Sequence, residues 1–165
     1  QNPSHLYFVA GGAERMDSVL AGLDFLSDRA ASDDWVLVHD VARPCIAADS
    51  LNKLHETLLG DAVGGILAIP VRDTLKKAQD NQILETVSRD HLWQAQTPQM
   101  FRFGLLRDAL IAAKKQNLQV TDEASAVEFA GFTVKIVEGR MDNIKVTYAD
   151  DLAFASVILQ AQGHL

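Results

Sequence analysis

The chain has few of the residues that carry redox, metal or nucleophilic chemistry. Cys45 is the only cysteine in 165 residues, which excludes an internal disulfide and a multi-cysteine zinc site. The five histidines show no zinc spacing, and no Gly-x-Ser-x-Gly elbow supplies a nucleophile. Hydrolysis through a covalent intermediate is therefore disfavoured. With no signal-like start, the lone thiol favours a reducing, cytoplasmic location.

Long apolar runs and an excess of basic residues are also missing. No apolar stretch approaches the roughly 18 residues that a membrane-spanning helix needs. The 15 Lys and Arg against 22 Asp and Glu give a net charge of −7, the wrong sign for coating nucleic acid. We therefore expect neither a membrane nor a nucleic-acid partner. Because salt screens surface charge over about 8 Å, a pocket can still bind a small anion.

Strand and helix patterns alternate along the chain, which suits a single domain over residues 1–165. Such alternation predicts an α/β fold with three α/β/α layers and a mainly parallel, Rossmann-like sheet. The predicted helices are 16–26, 49–59, 103–114, 121–129 (capped by Thr121) and 151–160, the last opened by a capping box at 147–150. The predicted strands are 6–9, 35–39, 64–69, 132–137 and 143–146, with 93–101 as an irregular strand or loop because of Pro98.

A polar β-hairpin is predicted within residues 71–90, its strands at 74–78 and 83–87. A two-stranded hairpin is marginally stable alone in water, so a projecting arm needs support. We interpret it as a dimerisation arm that rests against a second subunit. An edge hairpin folded back on its own sheet is the alternative.

Charged residues follow the apolar run 35–38, a pattern typical of a buried central strand. In open α/β sheets, ligands bind beyond the carboxyl ends of strands. Asp40 is therefore a candidate for binding a sugar hydroxyl or a metal, and Arg43 for binding a phosphate. A loop ion pair or a helix cap would use the same residues. Lys145, between Ile144 and Val146, is expected to meet either an anion or solvent.

Other candidates are weaker when each is considered singly. Gly11 and Gly12 would let a planar base or phosphate approach the backbone, with Ser18 at its edge, although two glycines before a helix more often serve only to form a turn. Thr97 and Thr121 offer hydroxyls that capping would also explain. From the residues alone, the chain is an α/β domain that handles a phosphate or a nucleotide.

Seven sequence blocks, taken in order, resemble the 2-C-methyl-D-erythritol 4-phosphate cytidylyltransferase family. The resemblance covers nearly all of this chain but about the last two thirds of the family's usual length. The family's N-terminal portion, with its glycine-rich phosphate loop, is thus expected to be missing, and the fragment alone is expected to be a poor catalyst. The blocks are Gly11-Gly12-x-x-Arg15-x-x-Ser18-Val19, Val38-His-Asp-x-Ala-Arg-Pro44, Pro70-Val-Arg-Asp-Thr74-x-Lys76, Arg89 with Leu92-Trp93, Gln96-Thr-Pro-Gln99, Thr121-Asp-x-Ala-Ser125 and Asn143-Ile-Lys-Val-Thr147.

The resemblance implies a nucleotide-diphospho-sugar transferase fold and a reaction in isoprenoid precursor synthesis. CTP and 2-C-methyl-D-erythritol 4-phosphate would be joined, with release of pyrophosphate and with Mg²⁺ held mainly by the CTP phosphates rather than by protein ligands. By the same resemblance, Lys145 and Asp40 would be catalytic, Gly12 and Ser18 would contact cytosine, and Asp40 with the Val41 backbone would lie by the ribose and phosphates. The residues implied around methylerythritol phosphate are Arg43, Thr74, Arg89, Thr97 and Thr121, of which Thr74 and Arg89 would come from the partner's arm in a homodimer.

Two other functions stay open at this point. A cytidylyltransferase acting on a pentitol phosphate would share the nucleotide blocks. A non-catalytic dimerisation or binding fragment would account for the missing phosphate loop.

Overall fold

The computed structural model describes residues 6–164, which form five helices and six strands. The helices are α1 (Arg15–Leu26), α2 (Ala48–Leu58), α3 (Phe103–Lys115), α4 (Glu123–Phe129) and α5 (Asp151–Ala161). The strands are β1 (Trp35–Val38), β2 (Gly64–Pro70), β3 (Leu75–Gln79), β4 (Gln82–Val87), β5 (Trp93–Arg102) and β6 (Lys135–Glu138). Within this part of the chain, every helix is too short or too polar to cross a membrane.

The main sheet has the strand order β1-β5-β2-β6. β5 is antiparallel to both β1 and β2, and β6 is parallel to β2, so β1, β2 and β6 share one direction. The predicted α/β class is confirmed. Residues 35–38, which were interpreted as a central strand, form β1 at an edge of the described sheet, and Leu37 is 46% exposed.

Helices cover both faces of the sheet and produce the three layers. Successive residues of a strand point to opposite faces, so Ile66 and Ala68 of β2 pack beneath α1, α3 and α4. Leu67, between them, packs on the other face with Leu54 and Leu58 of α2. Because both faces are covered, β2 is the apolar run expected of a fully buried strand.

β5 is an inner strand of the sheet with an irregular register near Pro98, and of the predicted irregular strand or loop it is the strand that forms. Pro98 has no N–H to give to a ladder, so proline is normally confined to edges and bulges. Here the register with β2 shifts, since Ile66 lies opposite Gln99 whereas Ala68 lies opposite Ala95. The extra residues of β5, including Pro98, occupy this bulge, and the strand continues on either side.

The polar hairpin forms as predicted, from β3 and β4, and makes a two-stranded sheet of its own. Its turn residues Asp80 and Asn81 have φ of 49° and 62°, the left-handed values that a tight hairpin turn requires. Ile83 and Leu84 are 65% and 58% exposed. Within one described chain, these apolar side chains therefore stay in contact with solvent.

Several local predictions were wrong. Two predicted strands do not form, and the starts or ends of several helices differ from the predicted ones by one or two residues. Residues 6–9 and 143–146 pair with no strand among the described residues and have no strand conformation. Asp122 caps α4 instead of Thr121, because its carboxylate accepts the Ser125 N–H. The predicted capping box at 147–150 does not form. Instead, the Asp151 carboxylate accepts the N–H groups of Thr147 and Tyr148. Leu59 lies beyond the end of α2 and is 58% exposed.

The parallel β2–β6 pair should not tolerate a side chain at Gly65. A Cβ built there lies 2.5 Å from the Lys135 carbonyl oxygen, which belongs to the backbone of the neighbouring strand and cannot rotate away. We predict that Gly65→Ala lowers the free energy of unfolding by about 2 kcal/mol, or about 5 °C in Tm, measured by circular dichroism on the native protein. Gly22→Ala is the matched control, because a Cβ in that helical position meets nothing within 4 Å. It should leave Tm unchanged or raise it, and equal losses in both variants would contradict the prediction.

Candidate active site

Two adjoining cavities open at the edge of the sheet where β1 ends and β5 begins. The wide cavity, of about 460 Å³, extends along α1 and the turn after β1. The narrow cavity, of about 240 Å³, lies against the first half of β5 and the start of α4. Arg15, Asp40 and Lys145 line both cavities. This is the edge of an α/β sheet at which ligands characteristically bind.

Four side chains of alternating charge connect the core to these cavities. Glu123 is 1% exposed, and its two carboxylate oxygens accept from Nη1 and Nη2 of Arg15 at 2.6 and 2.9 Å. The Nε of Arg15 then donates to Oδ1 of Asp40 at 3.1 Å. The Oδ2 atom of Asp40 lies 3.2 Å from Nζ of Lys145. A buried carboxylate thereby fixes, through Arg15, the carboxylate at the cavity rim.

The charge states of Asp40 and Arg15 follow from this pairing. Burial alone would raise the pKa of Asp40, but the hydrogen bond from Lys145 and the charge of Arg15 outweigh it and hold that pKa below its usual value. Burial opposes the charge on Arg15, yet Glu123 and then Asp40 outweigh it and raise the pKa of Arg15. Asp40 is therefore ionised and Arg15 is charged at neutral pH.

Arg43 binds backbone rather than pointing freely into the cavity. Its Nη1 donates to the Asn143 carbonyl at 2.7 Å and its Nη2 to the Ala95 carbonyl at 3.3 Å. A second tether joins the same loop to the turn after β1, where the Val146 N–H donates to the Ala42 carbonyl at 2.8 Å. Lys145 thus lies on an irregular loop that is held on both sides. Burial lowers the pKa of Arg43, and the charge of Asp40 only partly opposes this effect.

The structure brings together most of the site residues predicted from the sequence. Asp40, Arg43, Lys145, Thr97 and Thr121 line the narrow cavity, and Ser18 and Val41 line the wide one. The Gly12 N–H donates to the Ser18 hydroxyl at 3.1 Å, which places the glycine turn beside the wide cavity. Thr74 and Arg89 flank the hairpin and line neither cavity. The roles of all these residues stay predictions.

Sequence reasoning assigned no function to several residues that organise the site. Arg15 and Glu123 lie 108 positions apart, and nothing local in the sequence pairs them. Gln99 of β5 positions α4, because its amide donates to Asp122 at 2.8 Å and accepts the Ala124 N–H at 2.9 Å. The one available signal was Glu123 itself, a charge placed among alanines and a valine at a helix start.

The carboxylates at the cavities do not form a preassembled metal site. Among residues 6–164, no group of three or more His, Cys, Asp or Glu side chains is placed to hold an ion. Asp40 is engaged by Arg15 and Lys145, and Asp122 by Gln99 and Ser125. A divalent ion at this edge would therefore need most of its oxygen ligands from a bound phosphate compound.

A further cavity, of about 430 Å³, lies at the base of the hairpin and lacks such convergence. Pro70, Arg72, Arg140 and Asp142 line it, and the Arg140 guanidinium is already paired with Asp142. The candidate site is therefore placed at the two cavities that Arg15, Asp40 and Lys145 share.

Comparison with known sequences shows to which family the chain belongs. The sequence model of the IspD family, 2-C-methyl-D-erythritol 4-phosphate cytidylyltransferase, matches residues 2–161. The chain belongs to this family. An IspD relative from Acinetobacter baumannii is 53% identical over 163 residues, which make up 98% of this chain and 68% of that protein. A relative from Burkholderia vietnamiensis is 54% identical over 157 residues, 93% of this chain and 66% of that protein.

Solved IspD structures share the fold. The Francisella tularensis enzyme superposes with a TM-score of 0.84 at 40% identity, over 93% of this chain and 75% of that chain. The Thermus thermophilus enzyme gives 0.85 at 31% identity, over 97% and 77% of the two chains. The α/β fold with strands sharing one direction is therefore the IspD fold.

The buried Glu123–Arg15 pair should contribute measurably to stability. Glu123→Gln keeps the side-chain shape but removes the buried ionised partner of Arg15 and leaves it only Asp40, and removing one member of a buried pair is costly. Because the Arg15 side chain is 38% exposed, hydration of its guanidinium offsets part of this loss of stability. We predict a loss of about 1–2 kcal/mol in the free energy of unfolding, measured by urea denaturation of the native protein.

The matched control is Glu85→Gln on the hairpin, where the Lys77–Glu85 pair is 65% and 57% exposed. This variant should change stability by less than about 0.5 kcal/mol. Equal effects of the two substitutions would show that the burial of Glu123 carries no energetic weight.

Proposed function

We propose that the protein transfers the cytidylyl group of CTP to 2-C-methyl-D-erythritol 4-phosphate and releases pyrophosphate, as an enzyme of isoprenoid precursor synthesis. The observation that carries this proposal is the convergence of Arg15, Asp40 and Lys145 where two cavities meet at the strand ends of an IspD fold. Two adjoining cavities with shared charged walls suit two phosphate-bearing reactants that must meet.

In the proposed reaction, a phosphate oxygen of methylerythritol phosphate attacks the α-phosphorus of CTP. A new P–O bond forms, the bond from the α-phosphorus to the bridging oxygen breaks, and pyrophosphate leaves with that oxygen. This step balances without the transfer of a proton or an electron and without a covalent enzyme intermediate. Positioning and charge stabilisation therefore supply most of the catalysis. Mg²⁺, carried by the CTP phosphates, would offset phosphate charge when bound.

Lys145 is the residue proposed to stabilise the charge that develops in the transition state. Its side chain is half exposed, and its ion pair with Asp40 is 3.2 Å long, so an incoming phosphate can replace the carboxylate as its partner. Asp40 keeps Arg15 as a partner during this exchange, at 3.0 Å. Asp40 can then accept a ribose hydroxyl at the cavity rim without becoming an unpaired charge.

The wide cavity is proposed to take the CTP end of the reactants. Gly12, Ser18 and the Val41 backbone lie along it, and the Ser18 hydroxyl is held by the Gly12 N–H. A Cβ at Gly12 would lie 2.2 Å from Cβ of Asp17, so this turn has no room for a side chain. Close approach of a flat base to the backbone is thus compatible with the residues present.

The narrow cavity is proposed to take methylerythritol phosphate. Arg43, Thr97 and Thr121 line it, with Lys145 at its junction with the wide cavity. Arg43 has given two of its N–H groups to backbone carbonyls, so part of its contribution is to hold the Lys145 loop. Thr74 and Arg89 are proposed to complete this cavity from a second copy of the chain.

A homodimer joined by the hairpin arm, residues 71–90, accounts for those two residues and for the exposed apolar side chains of β4. Ile83 and Leu84 would be covered by the second subunit. We also propose a cytoplasmic location, where reducing conditions suit the buried free thiol of Cys45.

The function is tested by assaying pyrophosphate release from CTP in parallel with methylerythritol phosphate and with a pentitol phosphate. We expect turnover of the native protein with the first acceptor and at least about 100-fold less with the second, because misplaced hydroxyl groups leave buried polar groups unpaired. Preference for the pentitol phosphate would support the sister activity. No turnover of the full-length protein with either acceptor would support a binding role.

Residues from both subunits should be needed for each site. We predict that Lys145→Ala and Arg89→Ala each lower turnover about 100-fold, because each removes a positioned cationic donor. Mixing the two variants should restore about one quarter of native activity, since half of randomly mixed dimers are heterodimers and each has one intact site.

The control mixture combines Lys145→Ala with Asp40→Asn. Asp40 and Lys145 are in contact within one protomer, so every site in the mixed dimers carries a defect and no activity should return. Failure of the first mixture to recover activity would contradict the shared site. It would leave the reaction itself to be judged from the substrate assay.

A further inference from the structure

His39, which directly precedes Asp40, makes a hydrogen bond with each of its two ring nitrogens. Nε2 lies 2.9 Å from the Arg43 carbonyl oxygen, and Nδ1 lies 2.9 Å from the Thr97 hydroxyl oxygen. The same hydroxyl oxygen accepts the Asp40 N–H at 3.0 Å. The imidazole therefore links the turn after β1 to β5, beside the narrow cavity. Neither the reaction nor the sequence motifs assign it a role.

The partners determine which nitrogen carries the proton. A backbone carbonyl can only accept a hydrogen bond, so Nε2 must be the nitrogen that donates to Arg43. In the neutral imidazole, Nδ1 is then bare and can only accept. The Thr97 hydroxyl must therefore give its single hydrogen to His39.

This arrangement leaves Thr97 with one free function toward the cavity. Its hydrogen is committed to Nδ1, and one of its two lone pairs is committed to the Asp40 N–H. What remains is one lone pair, which can accept a hydrogen bond but cannot donate one. A phosphate oxygen needs a donor, so it gains nothing from Thr97 in this state.

We propose that His39 is a positioning residue that fixes Thr97 as a hydrogen-bond acceptor, so that Thr97 recognises a hydroxyl group of the polyol acceptor and not its phosphate. The proposal rests on the proposed function for the identity of that acceptor. Arg43 and Lys145, which line the same cavity, are cationic donors and suit the phosphate. The cavity is thereby divided into a hydroxyl-accepting wall on β5 and a phosphate-binding wall on the two loops.

The tautomer can be read without any enzymatic activity. In native protein labelled with ¹⁵N-histidine, the ring nitrogen signals of His39 should show the proton on Nε2, with Nδ1 unprotonated. The signals are assigned by their loss in His39→Gln. A proton found on Nδ1 in the neutral ring would overturn the proposal, and this result does not depend on which reaction the protein catalyses.

Two variants separate the two tethers of His39. In His39→Gln, the longer amide can still donate to the Arg43 carbonyl, but Thr97 loses its acceptor and its hydroxyl can turn. In His39→Asn, the shorter amide keeps an acceptor near Thr97 and loses the Arg43 contact. His55→Gln is the matched control, because His55 is an exposed residue in the last turn of α2.

The kinetic test compares methylerythritol phosphate with analogues in which fluorine, which cannot donate, replaces one hydroxyl at a time. For one analogue, the native protein should show a KM raised by about fivefold or more, while kcat and the KM for CTP change little. That KM ratio should fall toward one in His39→Gln and should stay at the native value in His39→Asn and His55→Gln. A KM ratio equal in the native protein and in His39→Gln would overturn the proposal. A native protein without cytidylyl transfer would instead count against the proposed function.

Discussion

The burial of one carboxylate constrains the whole site. Glu123 is withdrawn from water at the start of α4, and a buried charge is tolerated only with a close, well-oriented partner. Arg15 meets this demand with two parallel N–H groups and still has Nε free for Asp40. Lysine could not do both, because its ammonium is a single point with no fork. The position of the turn after β1 relative to α1 and α4 therefore follows from this pair.

The fold was predictable where the side-chain pattern is local. The helical spacing of α1 and α3 and the continuous apolar run of β2 each identify one element without reference to the others. A pattern cannot say which strands lie side by side. The run 35–38 suits a strand covered on both faces, yet it lies at the edge of the described sheet, and Pro98 excludes a central strand only where the register is regular.

The position of the candidate site could be predicted from the sequence, but the hydrogen bonds and ion pairs between its residues could not. Asp40 follows a strand, and strand ends are where ligands of α/β folds bind, so its neighbourhood could be identified from the sequence. Lys145 was expected on a strand and lies instead on a loop held by Arg43. That tether spans 100 positions, and the Arg15–Glu123 pair spans 108. Long-range pairs of this kind depend on the finished packing, which no local pattern encodes.

The Arg15–Glu123 and Lys145–Asp40 ion pairs differ in burial, and we therefore expect them to have different roles. The Arg15–Glu123 pair has one member withdrawn from water, so breaking it leaves a buried charge unpaired, and only unfolding could rehydrate that charge. The Lys145–Asp40 pair joins a half-exposed ammonium to a carboxylate with a second partner, and such a pair contributes at most about 1 kcal/mol. A phosphate that carries more charge than a carboxylate can displace Asp40 from Lys145 at little cost. In the proposed reaction, the buried pair would fix the geometry, and the weak pair would hold the ammonium in place until the substrate phosphate binds.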